Sequence, residues 1–102
     1  MQKWADYCIT GVKYHPRRTA INEVLLWDDT GAGINNARHV TRQAVVDALD
    51  RGATCVTAFM GTDGRYYRGE DVRVVNTPFG RFIRTDRNNI LADNLDRLPE
   101  YP

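Results

Sequence analysis

The sequence predicts an α+β domain, a twisted antiparallel sheet of about five strands packed on one short helix in the order β-β-α-β-β-β, closed by a C-terminal docking turn. Three observations predict it. Segments rich in β-branched and aromatic residues recur between Gly, Pro, Asn and Asp turns. One stretch alone, residues 42–51, combines helical spacing with a cap at each end. A chain of 102 residues supports one hydrophobic core rather than two, so residues 1–102 form a single domain. With 42% hydrophobic residues and 26% charged, the chain has enough apolar surface to offset its entropy, which excludes a disordered segment.

Residues 5–14 read as the first strand, ended by His15-Pro16 because proline cannot donate to a ladder. After a polar connection at residues 17–19, residues 20–27 gather Ile21, Val24, Leu25, Leu26 and Trp27 before Asp28-Asp29-Thr30-Gly31 breaks the pattern. That predicts a hairpin partner. Residues 30–39 hold two Gly and two Asn with little that is apolar except Ile34, and predict a surface loop longer than the usual connection.

Thr41 can cap the helix over residues 42–51, with Val40 and Val45 placed as a hydrophobic staple. Val45, Val46 and Leu49 share its apolar face, and Gly52 supplies the left-handed stop. Residues 54–60 are again β-rich, and Gly61-Thr62-Asp63-Gly64 turns the chain into Arg65-Tyr66-Tyr67-Arg68-Gly69. Residues 72–75 and 81–85 predict two further strands joined by a turn at residues 76–80, so a meander follows the helix. From Asp86 onward, Leu91, Leu95 and Leu98 at helical spacing predict one turn docked across the core before Pro99.

Fourteen Lys plus Arg oppose thirteen Asp plus Glu, for a formal net charge of +1. No bulk field drives the whole protein onto nucleic acid or a membrane, and any anion site is local. Twelve of the basic residues are Arg, with Lys3 and Lys13 the remainder. A guanidinium suits carboxylates, phosphates and aromatic faces, while GC-rich coding is the competing source of the bias.

Cys8 and Cys55 each lie within an apolar alternating segment, apart from any Cys/His cluster, and predict buried free thiols rather than a metal site or a nucleophile. No leader-like apolar run follows Met1, and no run approaches the roughly 20 residues of a membrane span, so a reducing cytoplasm is the expected compartment.

Familiar enzyme motifs are missing from the sequence: it has no Walker loop, dinucleotide fingerprint, nucleophile elbow or zincin helix. Gly31-Ala32-Gly33 has only the beginning of a phosphate-cradling loop. Asp28, Asp29 and Asp86 would serve a metal-dependent hydrolase only if they converged, and acidic residues at strand ends are commonly turn formers. The reading therefore leans away from an enzyme and assigns no catalytic residue, cofactor or metal ligand.

The most suggestive constellation interleaves guanidinium and aromatic groups in Arg65, Tyr66, Tyr67 and Arg68 and, across the last hairpin, Arg73, Arg81 and Arg84. Sheets use such surfaces to hold single-stranded nucleic acid or a nucleotide. A turn that sets Arg73 opposite Arg84 places like charges together, which requires a bound anion or a carboxylate such as Glu70, Asp71 or Asp86. A second candidate surface, for a protein partner, comprises Trp27, Asn35, Asn36, Arg38 and His39. Trp4 is a further candidate anchor, and Trp27 at a strand end also suits roofing the core.

The order of motifs resembles the bacterial and phage family known as domain of unknown function 3892. The resemblance rests on Tyr7-Cys8-Ile9-Thr10-Gly11-Val12, on Thr41-Arg42-Gln43-Ala44-Val45-Val46-Asp47-Ala48-Leu49, and on residues 54–57 after Gly52. It continues through Gly69-Glu70-Asp71-Val72, Phe82-Ile83-Arg84-Thr85-Asp86, Asp93-Asn94-Leu95 and Leu98-Pro99. It implies no activity, cofactor or catalytic residue.

The leading expectation is a small binding module that engages nucleic acid, or another anionic partner, through the Arg/Tyr surface with marked salt sensitivity. The alternative is a protein-interaction module or phage-type inhibitor acting by an exposed edge strand or by residues 28–39, as a monomer or homodimer. A metal-dependent hydrolase ranks third.

Overall fold

The computed structural model describes residues 3–16, 20–78, 80–85, 95 and 98–101. Strands β1 (Tyr7–Tyr14), β2 (Ile21–Asp29) and β3 (Ile34–Thr41) precede the helix α1 (Arg42–Asp50), and β4 (Cys55–Met60), β5 (Tyr66–Asp71), β6 (Arg73–Thr77) and β7 (Gly80–Arg84) follow it. Five strands form one sheet in the order β3-β2-β1-β4-β5, and β6 and β7 form a separate two-stranded sheet. The predicted class holds: a mostly antiparallel sheet of five strands packs on one short helix. The exception is the central pair, since β1 and β4 run parallel.

The expected loop at residues 30–39 is instead a turn followed by the edge strand β3. Its polar composition belongs to a strand paired on one side only, where Asn35, Asn36 and Ala37 face solvent. An extra residue in β3 between the pairs Leu26↔Arg38 and Asp28↔Asn35 makes a bulge. Asn36 takes the left-handed conformation there, at φ 60°, which Asn tolerates better than most side chains. Two strands are thus added to the expected order, β3 before the helix and β5 after it, and the meander divides between two sheets.

A second bulge shapes the core. Ile9 pairs with Leu26 and Gly11 with Leu25, so Thr10 is the extra residue in β1. The bulge shifts the alternation, and Tyr7, Ile9, Val12 and Tyr14 all pack in the helix-side core. Val45 and Val46 of α1 meet them there with Ile21, Val24, Leu26, Cys55, Val72, Ile83, Leu95 and Leu98. Each such aliphatic side chain contributes about 1.5–3 kcal/mol on burial. Thr41 caps α1 by accepting from the Ala44 N–H at 3.2 Å, and Gly52 ends it at φ 91°.

Beyond Ile9, where the β4 ladder ends, β1 is joined by residues 99–101: the Val12 N–H donates to Pro99 O at 2.9 Å, and the Tyr101 N–H to Val12 O at 3.0 Å. Leu95 and Leu98 are buried in the core, while most of the expected docking turn lies outside the described residues. No helix of the described chain is long and apolar enough to cross a membrane.

Candidate functional site

The face of the five-stranded sheet away from α1 is built from small residues with rings laid over them. Ala5, Cys8, Val56 and Ala58 are buried there, and Trp27, Ile34 and Tyr66 pack on them. Cys8 and Ala58 are too small to cover the sheet, which leaves room for the two rings to lean inward from β2 and β5. They meet with centroids 5.9 Å apart and planes inclined at 54°. Trp27 is fixed by its Nε1–H, which donates to Thr10 Oγ1 at 2.8 Å.

Beside this platform opens a cleft of about 560 Å³, lined by Trp4, Ile34, Tyr66 and Arg65 together with Asp29 and the turn Gly31-Ala32-Gly33. Its walls are set by one carboxylate. Asp29 Oδ2 accepts from the backbone N–H groups of Trp4 (2.7 Å) and Ala5 (3.4 Å), and Oδ1 from the Gly31 N–H (2.9 Å). The turn closes through the Thr30 N–H and hydroxyl, both donating to Gly33 O. Asp29 thereby ties the Trp4 segment to the turn, and all three line the cleft. Neighbouring Asp28 faces elsewhere, accepting from Asn36 and from Arg38 on β3. The two aspartates do not converge, and among the described residues no three His, Cys, Asp or Glu side chains gather around a common point.

The seven Arg and Tyr candidates divide among three places. Arg65 and Tyr66 are at the cleft. Tyr67 stacks on Phe59 with centroids 6.1 Å apart and donates its hydroxyl to Asp63, while Arg68 pairs with Asp71 at 2.6 Å. Arg73, Arg81 and Arg84 belong to the β6–β7 hairpin, which is a separate sheet. The register does set Arg73 opposite Arg84. Arg84 is 2% exposed and so forms part of the interior, and Arg81 reaches the end of α1, where it pairs with Asp50 through two bonds of 2.8 and 2.5 Å.

The second candidate set separates as well. Trp27 roofs the small-residue cluster, whereas Asn35, Asn36, Arg38 and His39 lie along the β3 edge. Arg38 lies 6.0 Å from the Tyr7 ring centroid, and His39 stands edge-on to Tyr101 at 4.8 Å, with Glu23 3.7 Å from its Nδ1. Sequence reasoning missed Asp29 as an organiser, Trp4 as a wall of the cleft and the turn that completes it. The local signal was Asp29-Thr30-Gly31-Ala32-Gly33 itself, a turn sequence at a strand end.

Residues 8–99 match the family described as "Protein of unknown function (DUF3892)". No curated protein matches the chain, and no solved structure does.

Proposed function

The chain belongs to the DUF3892 family, whose description names no activity, and we propose that it is a non-enzymatic module that holds single-stranded nucleic acid on the helix-free face of its sheet. The observation that carries this reading is the cleft lined by Trp4, Tyr66 and Arg65, with Trp27 packed against Tyr66 beside it. Unpaired bases present π faces to aromatic rings, each stack contributing about 1–3 kcal/mol, and a guanidinium beside the rings meets the phosphate. Arg65 is exposed, and its guanidinium has no carboxylate partner among the described residues.

The arginine pairings alter the expected character of binding. Arg38, Arg68 and Arg81 are each neutralised by a carboxylate, so stacking carries the affinity and salt modulates it weakly. Fluorescence anisotropy with labelled single-stranded and double-stranded oligonucleotides tests the reading. Single strands are expected to bind and duplexes of the same sequence to bind much more weakly; equal binding of both, or of neither, contradicts it.

A second reading, a protein-interaction module, draws on a different observation. Phe59, Met60 and Tyr67 at the β4–β5 hairpin are 50%, 57% and 44% exposed, and exposed apolar groups gathered in one place mark partner surfaces. Partner capture that is insensitive to salt and lost in Phe59→Ser would favour it.

A further inference from the structure

Resting on the reading above, we infer that the cleft seats one nucleotide unit and selects a base bearing an exocyclic amine, with Asp29 as the acceptor that reads it. A carboxylate offers about four lone-pair positions on its two oxygens. Asp29 uses three of them, two on Oδ2 for the Trp4 and Ala5 N–H groups and one on Oδ1 for the Gly31 N–H. One position on Oδ1 remains, and Asp29 lines the cleft.

Asp29 is only 7% exposed, and three backbone N–H groups hold its carboxylate in place. Its charge is felt next door, where it joins burial in raising the Cys8 thiol. A carboxylate acceptor lining an aromatic-walled cleft favours a donor on the ligand and repels a carbonyl oxygen. Cytosine presents an amine at C4 where uracil presents a carbonyl oxygen, on rings of the same size. The cleft volume of about 560 Å³ lies within the range of small-ligand sites, and Arg65 supplies a cation for the phosphate.

Cytidine and uridine 5′-monophosphates, titrated into the full chain and followed by amide NMR shifts of Gly31, Ala32 and Gly33, test this directly. The cytidine nucleotide is expected to bind about tenfold tighter, the effect of one hydrogen bond to a charged group. Asp29→Asn brings the ratio toward one, while Arg65→Gln weakens both nucleotides and leaves the ratio unchanged. The wild-type ratio decides even if Asp29→Asn proves unstable. Equal affinities, or shifts confined to residues outside the turn, overturn the inference. Single strands that still bind in that case leave the stacking platform standing, whereas failure of the strands themselves removes the reading on which the inference rests.

Discussion

The rings of Trp27 and Tyr66 meet 5.9 Å apart over Cys8 and Ala58, spanning the two central strands from β2 to β5. This contact couples the stability of the face to the binding proposed for it. Tyr66→Ala is therefore expected to lose both, with about 1–3 kcal/mol of stacking lost from binding and a lowered thermal midpoint. Trp4 is 37% exposed, so Trp4→Ala is expected to weaken binding and leave the midpoint nearly unchanged. Paired melting and binding curves distinguish the two.

Thr10 holds the platform from below. Thr10→Val is nearly the same size but strands the Trp27 Nε1–H, which donates to the Thr10 hydroxyl. The expected loss is about 1 kcal/mol in urea unfolding. An unchanged midpoint would mean that the indole finds another acceptor.

Gly69 lies at the bulge of β5 opposite Thr57 of β4. A methyl group there meets Thr57 Oγ1 and stands 3.1 Å from the Thr57 carbonyl oxygen. Backbone cannot yield as a side-chain end can, and Gly69→Ala is expected to cost about 1–3 kcal/mol. Gly33→Ala, with open space around it, is the control and is expected to fold normally.

Acid should loosen the fold. Asp6 is held below its ordinary range chiefly by the Thr54 N–H, Asp28 by Asn36 and then Arg38, Asp50 by Arg81, and Asp63 by the Tyr67 hydroxyl. A carboxyl whose pKa is lower folded than unfolded binds fewer protons in the native state. Its contribution is full above the unfolded value near 4 and is lost as pH falls through the lower folded value. The thermal midpoint is expected to fall on acidification below about pH 4, and Asp50→Asn and Arg81→Ala each to reduce the fall without adding to one another. A midpoint that rises on acidification contradicts this.

The thiols should be silent. Burial first, then the Asp29 charge, pushes Cys8 up to about 11, and burial raises Cys55 further. Neither is expected to react with a thiol reagent at neutral pH until denaturant is added; rapid labelling of the native protein would contradict the burial of the two thiols.

What the sequence discloses follows the range of the forces involved. The helix is legible because its signals are local: the Thr41 hydroxyl, the Val45-Val46 face and Gly52 act within a few residues of one another. The Arg73–Arg84 pairing is only a condition on the turn in the sequence, which leaves the register open; the hairpin of the structure meets that condition. β3 is hidden, since Asn35 and Asn36 join a ladder only because β2 is already there. The burial of Arg84 and the pairing of Arg81 with Asp50 depend on where the hairpin lies against α1, which no local pattern encodes. Tyr66 and Arg65 stand out in sequence as a stacking pair, but Trp4 and Asp29 join them through backbone bonds between distant segments.

Both tryptophans, Trp4 and Trp27, belong to the proposed surface, which makes intrinsic fluorescence the most direct test. Titration with an unlabelled single-stranded oligonucleotide at two salt concentrations is expected to quench the emission, with a log–log salt slope of only about −0.7 per phosphate held, and with most of the quenching lost in Trp4→Ala. Unchanged emission at saturating oligonucleotide, or quenching that Trp4→Ala leaves intact, would contradict the assignment of the helix-free face as the binding surface.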